Sequence, residues 1–207
     1  YEIMPSLVGS EMCIRDRYGK FAISILLLIG LYRIADVVMG VIANVFYLEK
    51  GFNINEIATY SKFFGVFATI FGGFLGGIFA LKFGTMRALF LGALIAAASN
   101  LLFAWLAVAP ISIKFLITVI TADNISSGFA GAAFVVYLSG LTSVKFTATQ
   151  YALFSSIMLF LPKLIAGYSG SWVDIMGYAN FFTLTAILGI PVLLMIVWIS
   201  KVAPIKN

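Results

Sequence analysis

Four side chains could do chemistry where charge is costly. Arg33 and Asp36 lie three residues apart, hence on one helical face, inside an apolar run at 21–48. Asp123, followed by Asn124, stands near the middle of a second apolar run without a local cation, and Lys163 follows Pro162 inside a third. A charged group at mid-bilayer costs about 2.5–3.5 kcal/mol on insertion scales, so such residues are functional candidates by default. The Arg33–Asp36 spacing fits two uses. It can be a self-neutralising pair that lets the helix insert, or a cavity-facing pair whose carboxylate takes a proton when its partner moves. Asp123 fits proton coupling, because protonation removes a charge that an apolar medium opposes; it also fits a structural hydrogen bond to a neighbouring helix. Lys163 can snorkel to the surface or present positive charge to an anionic ligand. For Lys62 and Lys114, close to the ends of their runs, snorkelling is the better account.

Composition narrows what surrounds these residues. The 207 residues are 62% hydrophobic and 10% charged, with no histidine and one cysteine, whereas a soluble domain carries about 25% charged residues. This is the balance of an integral membrane protein. Without histidine the chain lacks the commonest general base and the commonest metal ligand. One cysteine makes no internal disulfide, and no G-x-S-x-G nucleophile elbow is present. No enzyme, metal or cofactor is therefore expected. The net charge of +5 does not signal nucleic acid, because Lys and Arg stand singly between apolar runs, the pattern of membrane-flanking charge.

The elements that must hold the charges are six apolar runs, at 21–48, 57–81, 88–109, 111–141, 147–173 and 179–200. Each reaches the roughly 20 residues that cross a bilayer core as a helix, so an all-α protein with six transmembrane helices is expected. The connections are short, which makes consecutive spans antiparallel neighbours and leaves no room for an extramembrane domain. One side collects Lys20, Lys82, Arg87, Lys145, Lys201 and Lys206; the other collects Lys50, with Lys62 and Lys114 at its boundary. The excess of positive charge puts both termini in the cytoplasm. Residues 1–17, YEIMPSLVGSEMCIRDR, differ in texture and hold Cys13. The string SLVGSEMCIRDR resembles translated sequencing-adaptor sequence, so 1–17 is expected to be a non-native or disordered tail ahead of a six-helix domain at 18–207.

Glycine motifs add a topology. The run Gly76-Gly77-Ile-Phe-Ala-Leu81-Lys82-Phe83-Gly84-Thr-Met-Arg87 resembles the major facilitator signature G-x-x-x-D-R-x-G-R-R, found between the second and third helices of each half. Gly77, Lys82, Gly84 and Arg87 match or approximate it, while Leu81 replaces the usual aspartate. A second echo, Gly170-x-x-x-Asp174-x-x-Gly177, closes the fifth run. Related motifs at opposite membrane faces are what an inverted three-plus-three repeat produces; the plainer account is that small residues pack helices. A fainter echo pairs Ala35-Asp36, Gly40 and Tyr47-Leu48 with Ala122-Asp123, Gly128 and Tyr137-Leu138. Gly72, Gly73, Gly76 and Gly77 permit close helix contact, and Pro162 and Pro191 are expected to kink their spans.

The run Lys145-Phe146-Thr147-Ala148-Thr149-Gln150-Tyr151-Ala152-Leu153 resembles the AmpG family of muropeptide permeases. So do Asp123-Asn124-Ile-Ser-Ser-Gly128-Phe-Ala-Gly131, Ser99-Asn100-Leu101-Leu102-Phe103 and Gly51-Phe52 before Glu56-Ile57-Ala58. Family members often have glutamate where Asp123 stands. The resemblance implies a bacterial inner-membrane symporter that imports anhydro-muropeptides by alternating access, driven by protons, in peptidoglycan recycling. It also implies a cavity lined by the first and fourth helices of each half. Gln150, Asn124 and Tyr151 would hydrogen-bond sugar hydroxyls or amides, and Arg33 or Lys163 would meet carboxylates. Such permeases have twelve or more helices, so a six-helix chain would be a C-terminal half that needs its N-terminal partner. Another major facilitator resembling the acetyl-CoA transporters, or a self-assembling six-helix protein, are the alternatives.

Overall fold

The computed structural model describes residues 21–142 and 147–202, with the backbone alone for 147–149. The expected tail at 1–17, together with Lys20, Lys145, Phe146 and Lys206, lies outside the described residues. Within them the chain is helical almost throughout and contains no strand. A bilayer offers no water to unpaired backbone groups, so helices that satisfy their own N–H and C=O groups are the solution open to such apolar runs.

The first expected span is two helices, α1 (Ala22–Leu31) and α2 (Ile34–Lys50), separated by a turn at Tyr32 and Arg33. Tyr32 fixes the break. Its hydroxyl donates to Leu89 O at 3.2 Å and its ring stacks on Phe134 at 4.7 Å. At the far end Gly51, with φ 102°, turns the chain. Asn53 and Glu56 then form a capping box that starts α3 (Ile54–Thr59). The second span continues through a π-helical turn, Tyr60–Phe64, into α4 (Gly65–Phe83). It is followed by α5 (Thr85–Val108), α6 (Ile113–Leu141), α7 (Thr147–Ala166) and α8 (Ser169–Val202).

Five stretches are long and apolar enough to cross a membrane, namely α1 with α2, α3 through α4, α5, α6 and α8. Of the sixth, α7, the described apolar part Gln150–Ala166 is shorter. The fifth span was expected to reach residue 173, but α7 stops at Ala166. A turn at Gly167 and Tyr168 ends it, and Ser169 is buried with its hydroxyl donating to Val38 O of α2 at 3.3 Å. The residues expected to finish the fifth span form a short helical stretch, 169–176, which a corner at Gly177 separates from the rest of α8, inside the connection expected at 174–178. Within α8 the helix is interrupted at Gly177, whose φ 76° and ψ 164° nearly repeat the 89° and 154° of Gly84 between α4 and α5. Both fall in a region of backbone space that essentially only glycine occupies.

Consecutive spans are not generally packed neighbours, contrary to expectation. Of the consecutive pairs only α5 and α6 pack extensively. The main contacts join α4 to α6, α5 to α8, α2 to α8 and to α7, and α1 to α7. Small residues decide the tightest of them. A Cβ on Gly72 would overlap Ile125 O, one on Gly76 would press on Phe129 O, and one on Gly128 would overlap Thr69 O, so α4 and α6 meet backbone to backbone. The rings of Phe46, Phe103 and Phe182 bind α2, α5 and α8 into one core, with centroids 4.9 and 5.2 Å from Phe182. Lys50 pins the end of α2 to the end of α5, its Nζ donating to Ala107 O and Ala109 O at 2.7 Å each.

Candidate substrate and proton site

The break in the first span sets Arg33 immediately ahead of α2 and Asp36 in its first turn. Their side chains form an ion pair, 25% and 15% exposed. Ser127 on α6 closes a triangle with them: its Oγ accepts from Arg33 Nη2 at 3.0 Å and donates to Asp36 Oδ2 at 3.4 Å. Arg33 Nε is buried without a partner among the described residues. One guanidinium donor therefore still faces the interior with nothing to bond.

Asp123 lies one helical turn before Ser127 on the same face of α6. Its Oδ1 accepts from Ser99 Oγ of α5 at 3.4 Å. Ser99 and Ser126 are both buried, and their hydroxyls are 3.1 Å apart. Each hydroxyl carries one hydrogen with alternative acceptors in range, Ala96 O for Ser99 and Asp123 O for Ser126, so the set can reorient without moving the backbone. Beside it, buried Asn100 donates from Nδ2 to Ala35 O at 3.4 Å, and its Oδ1 has no partner among the described residues. The first, third and fourth spans thus converge on two carboxylates, one guanidinium and a cluster of hydroxyls.

The other expected site residues are distributed differently. Asn124 turns away to α4, accepting from Thr69 Oγ1 at 3.0 Å and donating to Ile120 O at 2.8 Å, packed over Gly65 just past the π-helical turn. Its amide ties α6 to α4. Gln150 is buried on α7 and Tyr151 is half-buried against the core. Lys163 is exposed and makes no ion pair among the described residues. Of the motif residues, Gly84 and Gly177 are corners, whereas Gly77 and Gly170 have open space where a Cβ would stand. Close approach at this end of α4 belongs to Gly76 and not to Gly77. Lys82, Arg87 and Asp174 are exposed. Among the described residues no three His, Cys, Asp or Glu side chains gather as metal ligands would.

Sequence reasoning passed over Ser99, Asn100, Ser126 and Ser127 as site residues. Ser126 and Ser127 carried a signal, following Asp123 by three and four positions and so sharing its face. Ser99 and Asn100 are a polar pair in an apolar run, with nothing in the sequence to say what they face.

No protein-family model matches the chain. Curated relatives do. The protein named "Putative transporter AmpG 4" of Rickettsia felis is 35% identical over 182 residues, 88% of this chain and 44% of its own length. The chain is related to the AmpG transporters. The AmpG 4 of Rickettsia conorii is 34% identical over 87% of the chain, and the AmpG 1 of Rickettsia bellii 36% over 88%, each again matched over 44% of its own length. The chain therefore spans less than half the length of these AmpG relatives. Their naming as transporters agrees with a multi-pass membrane protein.

Proposed function

We propose that the chain is the C-terminal six-helix half of a major facilitator that imports anhydro-muropeptides across the bacterial inner membrane with protons, both termini lying in the cytoplasm. The observation that carries this reading is the Arg33–Asp36 ion pair held by Ser127 of the fourth span, one helical turn from Asp123, in a chain related to the AmpG transporters.

Two features support the inverted three-plus-three repeat. Exchanging spans one with four, two with five and three with six turns the α4–α6 contact into that of the first span with α7. The same exchange turns α5–α6 into α2–α8 and leaves α5–α8 unchanged. The repeat also pairs Gly84 with Gly177, seven residues after Gly77 and Gly170 respectively, with nearly the same backbone angles. The end that carries Lys82, Arg87 and Lys201 is the cytoplasmic one by its positive charge.

In the mechanism, a substrate carboxylate takes the place of the Asp36 carboxylate on the Arg33 guanidinium, with the unpartnered Nε offering a second donor. Asp36, released from its cation, takes a proton from the outer side. Asp123, on the face of α6 that bears Ser127, holds or passes that proton through the Ser99 and Ser126 hydroxyls. Inward opening reverses the exchange: substrate leaves, the proton is lost to the cytoplasm and Asp36 returns to Arg33. Gln150 and Tyr151 contact the sugar and peptide once the second half is present.

The test is uptake of labelled anhydro-muropeptide into vesicles that hold the full-length protein, under an imposed proton gradient. Asp36→Asn and Asp123→Asn should each abolish gradient-driven accumulation, and substrate exchange without a gradient should survive in at least one of them. Wild-type accumulation by both would overturn the coupling role, and accumulation of a coenzyme A thioester in place of muropeptide would overturn the substrate.

A further inference from the structure

Away from the charged cluster, α5 and α8 enclose a groove of about 330 Å³ lined by Met86, Arg87, Phe90, Ile196, Val197 and Ser200. Its wall is apolar and opens outward, with Phe90 36% and Val197 39% exposed. Its rim is cationic. Arg87 is exposed, and exposed Lys201 follows Ser200 directly. Lys82, at the end of α4, stands at the same end of the bundle.

Among the described residues no carboxylate neutralises this rim. Arg33–Asp36 is the one ion pair among the described residues. Of the described acids, Asp36 and Asp123 are in the middle of the bundle, and Glu49, Glu56 and Asp174 belong to its other end. An apolar trough that ends in unpaired cations is complementary to an amphiphile with an anionic head. A free inorganic anion would leave the trough unfilled, and a zwitterionic lipid would bring an ammonium group against Arg87.

We propose that this groove is a binding site for an anionic phospholipid, its phosphate on Arg87 and Lys201 and the start of one acyl chain between Phe90 and Val197. Ser200, whose hydroxyl now donates to Val197 O at 2.8 Å, turns that donor to a phosphate oxygen. Trp198, 47% exposed and edge-on to Phe21 at 6.3 Å, stands beside the head at the depth where indoles favour the interface. The site is separate from the Arg33 cluster and requires no transport activity.

Native mass spectrometry of the full-length protein, exchanged into detergent with equal amounts of phosphatidylglycerol and phosphatidylcholine, tests it. Phosphatidylglycerol adducts should predominate. Arg87→Gln and Lys201→Gln should each lower their affinity about fivefold, the usual contribution of one cation near a lipid surface. Val197→Trp, which fills the trough and keeps both charges, should lose them too, while Lys62→Gln at the opposite end should not. Excess inorganic phosphate should leave the adducts in place. Equal retention of the two lipids, indifference to Arg87→Gln, or displacement by phosphate would each overturn the proposal.

Discussion

Removing Arg33 alone strands a carboxylate in an apolar interior, whereas removing the whole pair strands nothing. Breaking a buried ion pair by deleting one partner costs about 3 kcal/mol or more, while exchanging both partners for apolar residues of similar size is often close to neutral. With both side chains largely covered, Arg33→Ala should therefore lower the unfolding temperature of the full-length protein in detergent clearly more than the double variant Arg33→Met/Asp36→Leu. If the double variant is the less stable, the pair is held for stability and its place in a transport cycle loses its basis. Ser127 sharpens the comparison, because its hydroxyl bonds both charges. The pair itself was legible in the sequence from its i, i+3 spacing. The bridging serine was passed over although it shares a face with Asp123, since serine in a membrane helix usually bonds its own preceding turn, as Ser139 does with Val135 O.

At the scale of elements the glycines divide into those that a neighbour touches and those that face space, and substitution should separate them. Gly72→Ala and Gly128→Ala drive a methyl group into the backbone carbonyl of the facing helix. Each should cost about 1–3 kcal/mol, as overpacking does, and loosen α4 from α6. Gly77→Ala, Gly131→Ala and Gly140→Ala meet nothing within 4 Å and should be neutral, or gain about 0.5–1 kcal/mol from the better helix former. Thermal unfolding of the full-length variants checks both sets, and equal losses across the two would mean that the α4–α6 approach is wider than described. The sequence showed that this stripe would pack but named Gly77 with Gly76, because one residue along a helix turns the side chain by about 100°. Span ends were read to within a few residues in α5 and α6, where apolar runs stop sharply. The break after Ala166 was missed because Gly167-Tyr168-Ser169-Gly170 carries no charge to mark it, and it is held by a tertiary contact, Ser169 to Val38 O, whereas the corner at Gly177 lies in the connection the sequence marked.

For the whole molecule, composition alone identified a membrane protein, but not which spans touch. Helices that are apolar all round carry no face for pairing to be read from, so the α5–α8 and α4–α6 contacts appear only in three dimensions. Much of the outer surface is large and apolar, including Phe67, Ile70 and Phe74 on α4 and Leu194 on α8, and must be covered by lipid or by another protein surface. The relatives run to more than twice the matched length, and under the proposed alternating access a single bundle would supply only one wall of the cavity. Splitting the full-length protein between the two halves therefore gives a decisive comparison. Co-expressed as separate chains, the halves should restore a measurable part of muropeptide uptake and purify together, while this chain alone should give none. Within the co-expressed pair, Arg33→Ala should abolish uptake without preventing co-purification, because its guanidinium faces the polar cluster between α2 and α6 and not the outer surface. Uptake by the six-helix chain alone, at a mass corresponding to two copies, would instead make it a self-assembling transporter and overturn the reading as one half.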